Sequence, residues 1–279
     1  MDKVKIFICC HKPVDVRHDD VYTPINHGRA VSPFKGQMDN MIGDDTGENI
    51  SEKQPIYNEH AAMYWIWKNV HDVEYVGIHH YRRFLGYNFT AENTDKLFAD
   101  GTDVIMSPKG FYPFTRWRGY LLTCQSEDFL ILWGVMKKIC PDYLPTLLQY
   151  MNGYISYNYN ILVCKKELFD KYEEWIHSIL PEFEKYYRPS AYANSSRALA
   201  YLAEILTAVY FIHHKCKIKE LPMIFEGVEQ PRISFPYRCL RAFLQGVIWP
   251  RTKNRPLRID PSIYRGMEED GIDLDFRIE

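Results

Sequence analysis

The stretch that decides the fold is Tyr75-Val-Gly-Ile-His-His-Tyr-Arg-Arg-Phe84. Its first four residues form a short apolar run with β-branched and aromatic types, which predicts a buried strand. The strand leads into a cluster of imidazole, phenol and guanidinium groups. Because ligands of open α/β sheets bind beyond the carboxyl ends of strands, this cluster predicts a binding site. Arg82 and Arg83 suit a phosphate or a carboxylate, although one of them could pair with a structural carboxylate instead.

The segment before this strand predicts a loop followed by a buried helix. Residues 44–51 are polar and rich in turn-forming side chains. Ser51 and Gln54 have the spacing of a capping box, and Pro55 suits the first turn of a helix. Residues 57–69 carry aromatic side chains on several faces, which is typical of a buried helix. Loop, helix and strand would then form one αβ unit that brings both arginines to a cleft.

Alternating strand and helix patterns in the remaining chain predict a layered α/β fold. A first strand at 4–10 is followed by a polar loop that reaches about residue 50. Further strands are predicted at 103–107, 157–164 and 217–221, and helices at 126–138, 142–151, 166–186 and 195–214.

Motifs spread over about residues 4 to 225 carry a resemblance to a known family. They are His11-Lys12-Pro13, Tyr22-Thr-Pro24-Ile25, Gly28, Asp45-Thr46-Gly47, Asn49-Ile50-Ser51, Glu59, Tyr64-Trp65-Ile66-Trp67-Lys68-Asn69, His80-Tyr81-Arg82-Arg83-Phe84, Asn160-Ile161-Leu162, 166–172, Trp175 and 197–204. Together they resemble bacterial glycosyltransferases of capsule, exopolysaccharide and O-antigen clusters, long catalogued as a domain of unknown function. Some members are described as galactofuranosyltransferases. The chain departs from the family pattern at Glu48, Ala200 and Ile205, where Asp, Gly and Arg are usual.

The resemblance implies a fold, an activity and a set of site residues. The fold is α/β, a single Rossmann-like GT-A type glycosyltransferase domain in residues 1–229 with a helical C-terminal part. The activity is transfer of a sugar, galactofuranose in the leading case, from a UDP-sugar donor to a growing, lipid-linked surface polysaccharide. The implied donor-binding residues are His11, Asp45, Asn49, His80, Tyr81, Arg82 and Arg83, and the implied acceptor-binding residues are Asn160 and Arg197.

Glu204 is the predicted catalytic base. An inverting transfer needs a carboxylate that accepts the proton of the acceptor hydroxyl. Glu204 is the one carboxylate of the predicted helix 195–214, and its position resembles that of the base in related folds. It could instead form a structural pair. Ile205 removes a neighbouring charge that could have fixed it.

The sequence favours arginine over a metal ion for neutralising the diphosphate. Glycosyltransferases of this fold often hold Mn²⁺ or Mg²⁺ with an Asp-x-Asp pair after a central strand, where this chain has His79-His80-Tyr81. The Asp-x-Asp at Asp273-Leu274-Asp275 lies in an acidic tail, and Asp44 and Asp45 suit a capping loop. No metal ligand is therefore assigned, and a divalent cation stays open as a cofactor.

Composition restricts the class of partner and the compartment. A net charge of −2 disfavours binding to nucleic acid. Seven cysteines, an odd number without metal-type spacing, predict free thiols in a reducing cytosol. The first apolar run is too short for a signal peptide, and no run approaches the ~18 residues that cross a bilayer. The predicted location is cytoplasmic, peripheral on the inner face of the plasma membrane.

Residues 230–279 are predicted to form a basic amphipathic extension. Between Glu229 and Asp260 there is no acidic residue, whereas seven are basic: Arg232, Arg238, Arg241, Arg251, Lys253, Arg255 and Arg258. Apolar residues recur at helical spacing within 240–249, which is typical of an interfacial helix on an anionic membrane surface. The alternative is a helix docked on the domain with its basic face in water.

Two other function classes remain open from the sequence. A non-catalytic carbohydrate-binding protein would share the high aromatic content of 15%, but it would not need the paired arginines or Glu204. A nucleotide-sugar hydrolase would use the same donor site, with water as the acceptor.

Overall fold

The structure, a computed structural model, describes residues 1–191, 195–227 and 234–278. The chain divides into two compact units. The first contains Met1–Pro108, Tyr157–Glu174 and the described residues of His214–Gln230, and the second contains Lys109–Ser156, Trp175–His213 and the described residues of Pro231–Glu279. Both units draw on residues before 229. The predicted division into 1–229 and 230–279 concerns the roles of these parts and stays a prediction.

Strands of the first unit form a mixed sheet. In chain order the strands are β1 (Asp2–Cys10), β2 (Tyr22–Asn26), β3 (Ile42–Gly43), β4 (Val73–His80), β5 (Arg83–Leu85), β6 (Val104–Met106), β7 (Gly110–Phe111), β8 (Ile155–Ser156), β9 (Leu162–Lys165), β10 (Ile218–Glu220) and β11 (Met223–Phe225). The sheet order is β10-β6-β9-β4-β1-β2-β3, and β5 pairs with β4 and β11. β9 is antiparallel to its neighbours β4 and β6, whereas the other pairs along this path are parallel. β7 and β8 form a separate ribbon in the second unit.

The strand order reverses between β1 and β4. From β1 the chain continues to β2 and β3 on one side, and then crosses to β4 on the other side of β1. In an open α/β sheet, the ligand crevice forms outside the carboxyl ends of the strands at such a reversal. The residues at these ends are Cys10 in β1, Asn26 in β2 and His80 in β4. The topology therefore locates the candidate site before any side chain is considered.

β4 is the central strand that the opening motif predicts. Val76 and Ile78 are fully buried, as expected for a strand covered on both faces. Gly77 is required by close packing, because a Cβ atom there would lie 2.5 Å from Ile6 Cδ1 and 2.8 Å from Val163 Cγ2. The apolar run thus packs β4 tightly between its two neighbours, and the polar residues begin where this packing ends.

The predicted loop between β1 and about residue 50 is wrong, because β2 and β3 lie within it. Pro24 argues against a strand in the sequence, since proline lacks a backbone N–H. In the structure β3 pairs only with Ile25 and Asn26 of β2. Pro24 therefore lies where β2 has an unpaired edge, and its missing donor removes no hydrogen bond on that side.

Two other predicted elements are shorter than the sequence indicates. The helix predicted at 57–69 is interrupted at Asn58, whose φ is 50°. The strand predicted at 157–164 is formed only from Leu162, because Tyr159 and Asn160 have φ values of 77° and 49°, outside the extended region. Both interruptions adjoin the candidate site.

Helices make up most of the second unit, and the first unit contains shorter ones. In chain order the helices of both units are α1 (Gln54–Tyr57), α2 (His60–Asn69), α3 (Thr94–Phe98), α4 (Arg116–Tyr120), α5 (Ser126–Ile139), α6 (Leu144–Met151), α7 (Lys166–Glu184), α8 (Ala198–His213), α9 (Phe235–Phe243), α10 (Trp249–Thr252) and α11 (Pro261–Glu269). In the second unit α8 packs against α5 and α6 around fully buried side chains such as Phe129 and Leu206. Among the described residues, no helix has both the length and the apolar character to cross a membrane.

Candidate functional site

Polar side chains gather where β1, β2 and β4 end. The His11 ring lies 5.8 Å from the His27 ring and 5.3 Å from the Tyr81 ring, edge-on to both. Each of these residues directly follows the last residue of its strand. Three parallel strands therefore deliver their first post-strand side chains to one place, at the reversal of the strand order.

A carboxylate, Glu59, adjoins this edge. Asn160 Nδ2 donates a hydrogen bond to Glu59 Oε1 at 2.8 Å, and His80 Nε2 lies 4.0 Å from the same oxygen. Burial raises the pKa of Glu59, but the positive charge of neighbouring histidines and the hydrogen bond from Asn160 outweigh burial and hold this pKa below its ordinary value. Glu59 is therefore a fixed negative charge beside the three strand ends.

Backbone strain concentrates around Glu59. Among the described residues, the non-glycine positions with positive φ are Asn58, Tyr159, Asn160 and Lys215. Asn58 precedes Glu59, and Asn160 is its hydrogen-bond partner. Such conformations each cost roughly 1–3 kcal/mol and persist where the surrounding structure imposes them, which is common at functional sites.

Three cations at this edge lie against tyrosine rings. Lys12 Nζ lies 5.7 Å and the Arg82 guanidinium 4.9 Å from the centroid of the Tyr81 ring. The Arg83 guanidinium lies 4.5 Å from the centroid of the Tyr159 ring. Within the described part of the chain, none of the three forms an ion pair with a carboxylate, so their donors remain available to an anion.

The two adjacent histidines of β4 have different surroundings. His79 packs against Phe84 and Phe89, and its Nε2 accepts a hydrogen bond from Leu85 N at 3.5 Å. Burial lowers the pKa of His79 to about 3. His80 is 17% exposed at the strand end, and burial also lowers its pKa, with the negative charge of Glu59 opposing this. His79 thus belongs to the core, whereas His80 lies at the candidate site, and its donor-binding role stays a prediction.

A cavity of about 470 Å³ opens beside His80 and Tyr81. Arg17 forms one wall: its guanidinium lies 3.9 Å from the Tyr22 ring centroid, and Nη1 donates to Asn88 Oδ1 at 2.5 Å. Most of the lining is apolar or aromatic, with a few polar groups. Size and lining are those of a small-molecule site.

Asp45 and Asn49 shape the loop that precedes α1. The Asp45 carboxylate lies 2.6 Å from both Nε and Nη2 of Arg29. The Asn49 side chain donates to Gly47 O at 3.0 Å and accepts from Ser51 N at 3.2 Å. These contacts give both residues structural partners, and their donor-binding roles stay predictions.

The acidic residues of this loop do not fit a divalent cation. Asp44 is fully buried and accepts hydrogen bonds from Gly28 N at 2.7 Å, Arg29 N at 3.1 Å and Ser51 Oγ at 2.5 Å. Its oxygens are thus occupied, and Arg29 engages Asp45. In the described ranges, no three His, Cys, Asp or Glu side chains are arranged to hold a metal ion. Dependence on a divalent cation stays open to experiment.

Glu204 and Arg197 belong to the second unit. Glu204 is half-buried in α8 between the buried residues Ala203 and Ile205, and Arg197 is exposed in the 3₁₀ turn before this helix. The structure brings six of the predicted site residues together at the strand ends of the first unit: His11, His80, Tyr81, Arg82, Arg83 and Asn160. The catalytic role of Glu204 and the acceptor role of Arg197 stay predictions.

Asn26 and His27 also lie at these strand ends, although the sequence pattern did not predict them as site residues. Asn26 is 1% exposed, and both polar atoms of its side chain lack a hydrogen-bond partner among the described residues. His27 Nδ1 also lacks one there, and burial lowers the pKa of His27 to about 4. The run Tyr22–Asn26, followed by His27, has the same pattern as the run before His80, a short strand that leads into polar side chains. Pro24 argued against a strand there.

Comparison with known proteins supports this assignment of the fold. The family model described as "Domain of unknown function (DUF4422)" matches residues 5–215. A solved structure described as WbbM bifunctional glycosyltransferase in its apo form has a TM-score of 0.67 and 26% sequence identity. The similarity covers 82% of this chain and 46% of that one, so the chain spans about half the length of that protein. No curated protein matches the chain.

These similarities confirm the resemblance found in the sequence and the fold that it implies. The sheet is mostly parallel, and the similarity to a solved glycosyltransferase structure supports a Rossmann-like sheet of the GT-A type. The family model covers most of the chain. The chain therefore belongs to the family described as a domain of unknown function, DUF4422.

Proposed function

We propose that the chain is a glycosyltransferase that uses a nucleotide-activated sugar. The observation that carries this proposal is the group of cations without carboxylate partners, Lys12, Arg82 and Arg83, at the strand-order reversal of a GT-A-like sheet. The similar solved structure of a bifunctional glycosyltransferase supports the same class of reaction.

In this proposal the cations bind the diphosphate of the donor. Guanidinium groups present paired N–H donors that match phosphate oxygens, and their charge stabilises the diphosphate as it leaves the sugar. The aromatic cavity beside His80 and Tyr81 would receive the nucleoside, since the half-buried ring of Tyr87 in its wall can pack against a flat ring. The cavity and the cations share Tyr81, which lies in the cavity wall and under Lys12 and Arg82.

Glu59 organises the donor site rather than reacting in it. Its carboxylate accepts a hydrogen bond from the Asn160 amide and so fixes that group, and its negative charge lies beside His80. Glu204 is the proposed base that accepts the proton of the acceptor hydroxyl in an inverting transfer.

The finer assignments rest on the family resemblance. UDP-galactofuranose is the proposed donor, because some members of the resembled family are described as galactofuranosyltransferases. The proposed acceptor is a growing, lipid-linked polysaccharide of the capsule, exopolysaccharide or O-antigen type. Such an acceptor would place the enzyme on the cytoplasmic face of the plasma membrane.

The test is incubation of the protein with UDP-galactofuranose, with and without a lipid-linked glycan acceptor. We expect release of UDP and extension of the glycan only when the acceptor is present. Equal UDP release without acceptor would identify a nucleotide-sugar hydrolase. Glycan binding without UDP release would identify a carbohydrate-binding protein. Absence of binding to any nucleoside diphosphate at millimolar concentration would reject the proposal altogether.

A further inference from the structure

The outward side of the C-terminal helical segment is apolar. α9, the π-helical turn Leu244–Ile248 and α10 follow one another without a break from 235 to 252. Its exposed large apolar side chains are Phe235 (76% exposed), Leu240 (39%), Phe243 (52%) and Val247 (38%). Three small residues between them are exposed as well, Cys239, Ala242 and Gly246, and the exposed Arg238 lies at the border of this group. At helical spacing these seven residues share one arc, which we call the outer face.

The inner side of the segment is fixed to the second unit. Tyr237 Oη donates a hydrogen bond to Phe111 O at 3.1 Å, and the two rings meet edge-on at 4.9 Å. Trp249 Nε1 donates to Gln149 O at 2.9 Å. The helix is therefore docked, as the second sequence interpretation predicts, but it is docked with its apolar side chains exposed. An exposed apolar patch of this kind marks a binding surface.

The same segment is strongly basic. From 234 to 259 the chain has no acidic residue, and it has these basic ones: Arg238, Arg241, Arg251, Lys253, Arg255 and Arg258. Arg232, the seventh member of the predicted set, lies outside the described residues. Within the described ranges, none of the six forms an ion pair. Arg238 is exposed next to Cys239 and Arg251 is exposed near the end of the segment, so positive charge borders the outer face.

We propose that the outer face seats the protein on an anionic lipid surface. Its apolar side chains would enter the boundary between headgroups and acyl chains, while the bordering arginines and lysine contact the headgroups. A second copy of the chain is the competing occupant. A twofold contact through this face would bring two unpaired basic sets together, which charge repulsion disfavours. The inference rests on the helix alone and is independent of the proposed activity.

Vesicle co-sedimentation of the full chain tests the proposal. The probes are vesicles of phosphatidylcholine alone and of phosphatidylcholine mixed with phosphatidylglycerol. We expect binding that rises with the phosphatidylglycerol fraction and falls with added salt, because salt screens exposed charges. Equal binding to neutral and mixed vesicles, or no binding to either, would overturn the proposal.

Paired substitutions separate the apolar from the electrostatic contribution. The double variant Phe243→Ser/Val247→Ser should weaken partitioning onto mixed vesicles at least about tenfold, and its exposed positions leave the fold intact. Ile139→Ser, at 37% exposure in the same unit, is the matched control and should bind like wild type. Arg238→Gln/Arg241→Gln should reduce both binding and its salt dependence, whereas Lys171→Gln/Lys185→Gln removes the same charge elsewhere and should not.

A thiol probe gives a second readout that needs no loss of function. Cys239 is the exposed cysteine of the outer face, while Cys140 and Cys216 are half-buried and burial raises their pKa values to about 11. An environment-sensitive dye should therefore label Cys239 first. We expect its emission to shift to the blue on adding mixed vesicles. An unchanged emission would contradict insertion of the outer face.

Self-association is the outcome that would reassign this face. If sedimentation shows a concentration-dependent dimer that Phe243→Ser/Val247→Ser abolishes, and mixed vesicles do not bind, the occupant is a second copy of the chain and the lipid proposal fails. Vesicle binding by Phe243→Ser/Val247→Ser at wild-type strength would also refute it.

Discussion

Basic side chains have different partners at the two ends of the sheet in the first unit. At the amino end, Lys3 lies 2.8 Å from Glu74 and 2.7 Å from Asp95 in a closed group of ion pairs. Lys217 and Lys219 share Asp100 in the same way. At the carboxyl end, three cations lie against tyrosine rings instead: Lys12, Arg82 and Arg83.

Cavity size does not distinguish the two ends. The cavity at the carboxyl end measures about 470 Å³ and a cleft at the amino end about 460 Å³. The amino-end cleft is lined by charges of both signs, including Asp103 and Lys165. Chemistry distinguishes the two ends, because Lys3, Lys217 and Lys219 at the amino end are already paired with carboxylates, whereas the cations on aromatic faces at the carboxyl end keep their donors for an incoming anion. Backbone strain also lies at the carboxyl end, at Asn58 and Asn160.

The largest expected effect is a loss of turnover in Glu204→Gln without a loss of UDP binding at the carboxyl end of the sheet. Glu204→Gln should lower the turnover number at least about a hundredfold, because the amide cannot accept the acceptor proton. UDP affinity should stay at the wild-type value, since the cations of the first unit are unchanged. Steady-state kinetics and calorimetry on the same preparation measure both quantities. Wild-type turnover would remove Glu204 from the role of base and direct the search to Glu59 and to Asp128, a buried carboxyl of α5 whose pKa is raised by burial to about 7.

The next prediction compares the two ends directly. Arg82→Ala or Arg83→Ala should each weaken UDP binding by about 1.5–3 kcal/mol, the value of a charge-assisted hydrogen bond. Calorimetric titration gives the dissociation constants. Lys217→Ala/Lys219→Ala removes two cations at the amino end and is the matched control. If the control loses as much UDP affinity as the arginine variants, then bulk charge rather than the carboxyl end binds the ligand.

A smaller effect appears in the pH dependence of stability. Below pH 6.5 the unfolded chain protonates His79, whereas the folded chain keeps it neutral down to about pH 3, because burial lowers its pKa. The folded state thus binds fewer protons in this window, and its stability falls as the pH falls. His79→Gln should reduce the stability loss between pH 7 and pH 5 by about 2 kcal/mol. Urea unfolding at both pH values measures it.

Asp100, at the amino end of the sheet, affects stability in a different pH range from His79. The hydrogen bond from Thr102 and the charges of nearby lysines hold the pKa of Asp100 below its ordinary value. Its contribution is lost only below pH 4, as the carboxylate protonates. An unchanged slope between pH 7 and pH 5 in His79→Gln would mean that His79 is protonated in the folded protein as well.

The candidate site could be predicted from the sequence because the pattern of β4 is recognisable in the linear sequence. An apolar run that stops at a cluster of charged and aromatic side chains is visible without any tertiary contact, and it predicted β4 together with His80, Tyr81, Arg82 and Arg83. β2 was not predicted because Pro24 argues against a strand. Proline is acceptable there only because β3 pairs with Ile25 and Asn26 and does not reach Pro24, which cannot be known from the sequence. Because β2 was not predicted, Asn26 and His27 at its end were not predicted as site residues either.

Other features depend on contacts that a linear pattern does not contain. The hydrogen bond between Glu59 and Asn160 joins residues 101 positions apart. The positive φ angles at Asn58 and Tyr159, next to these two residues, fall on positions without glycine, so the sequence pattern did not indicate them. Helical periodicity predicted the amphipathic C-terminal segment, but it could not reveal which side faces outward, because that depends on Tyr237 and Trp249 finding partners in the second unit.

The central claim is that the carboxyl end of this sheet binds the diphosphate of a nucleotide-activated sugar. Calorimetric titration of the wild-type protein with UDP and UMP under the same conditions tests it most directly. The account predicts that UDP binds at least about tenfold more tightly than UMP, because the second phosphate makes a further charge-assisted contact with the cations. Equal affinity for UDP and UMP, or no binding of either at millimolar concentration, would contradict it.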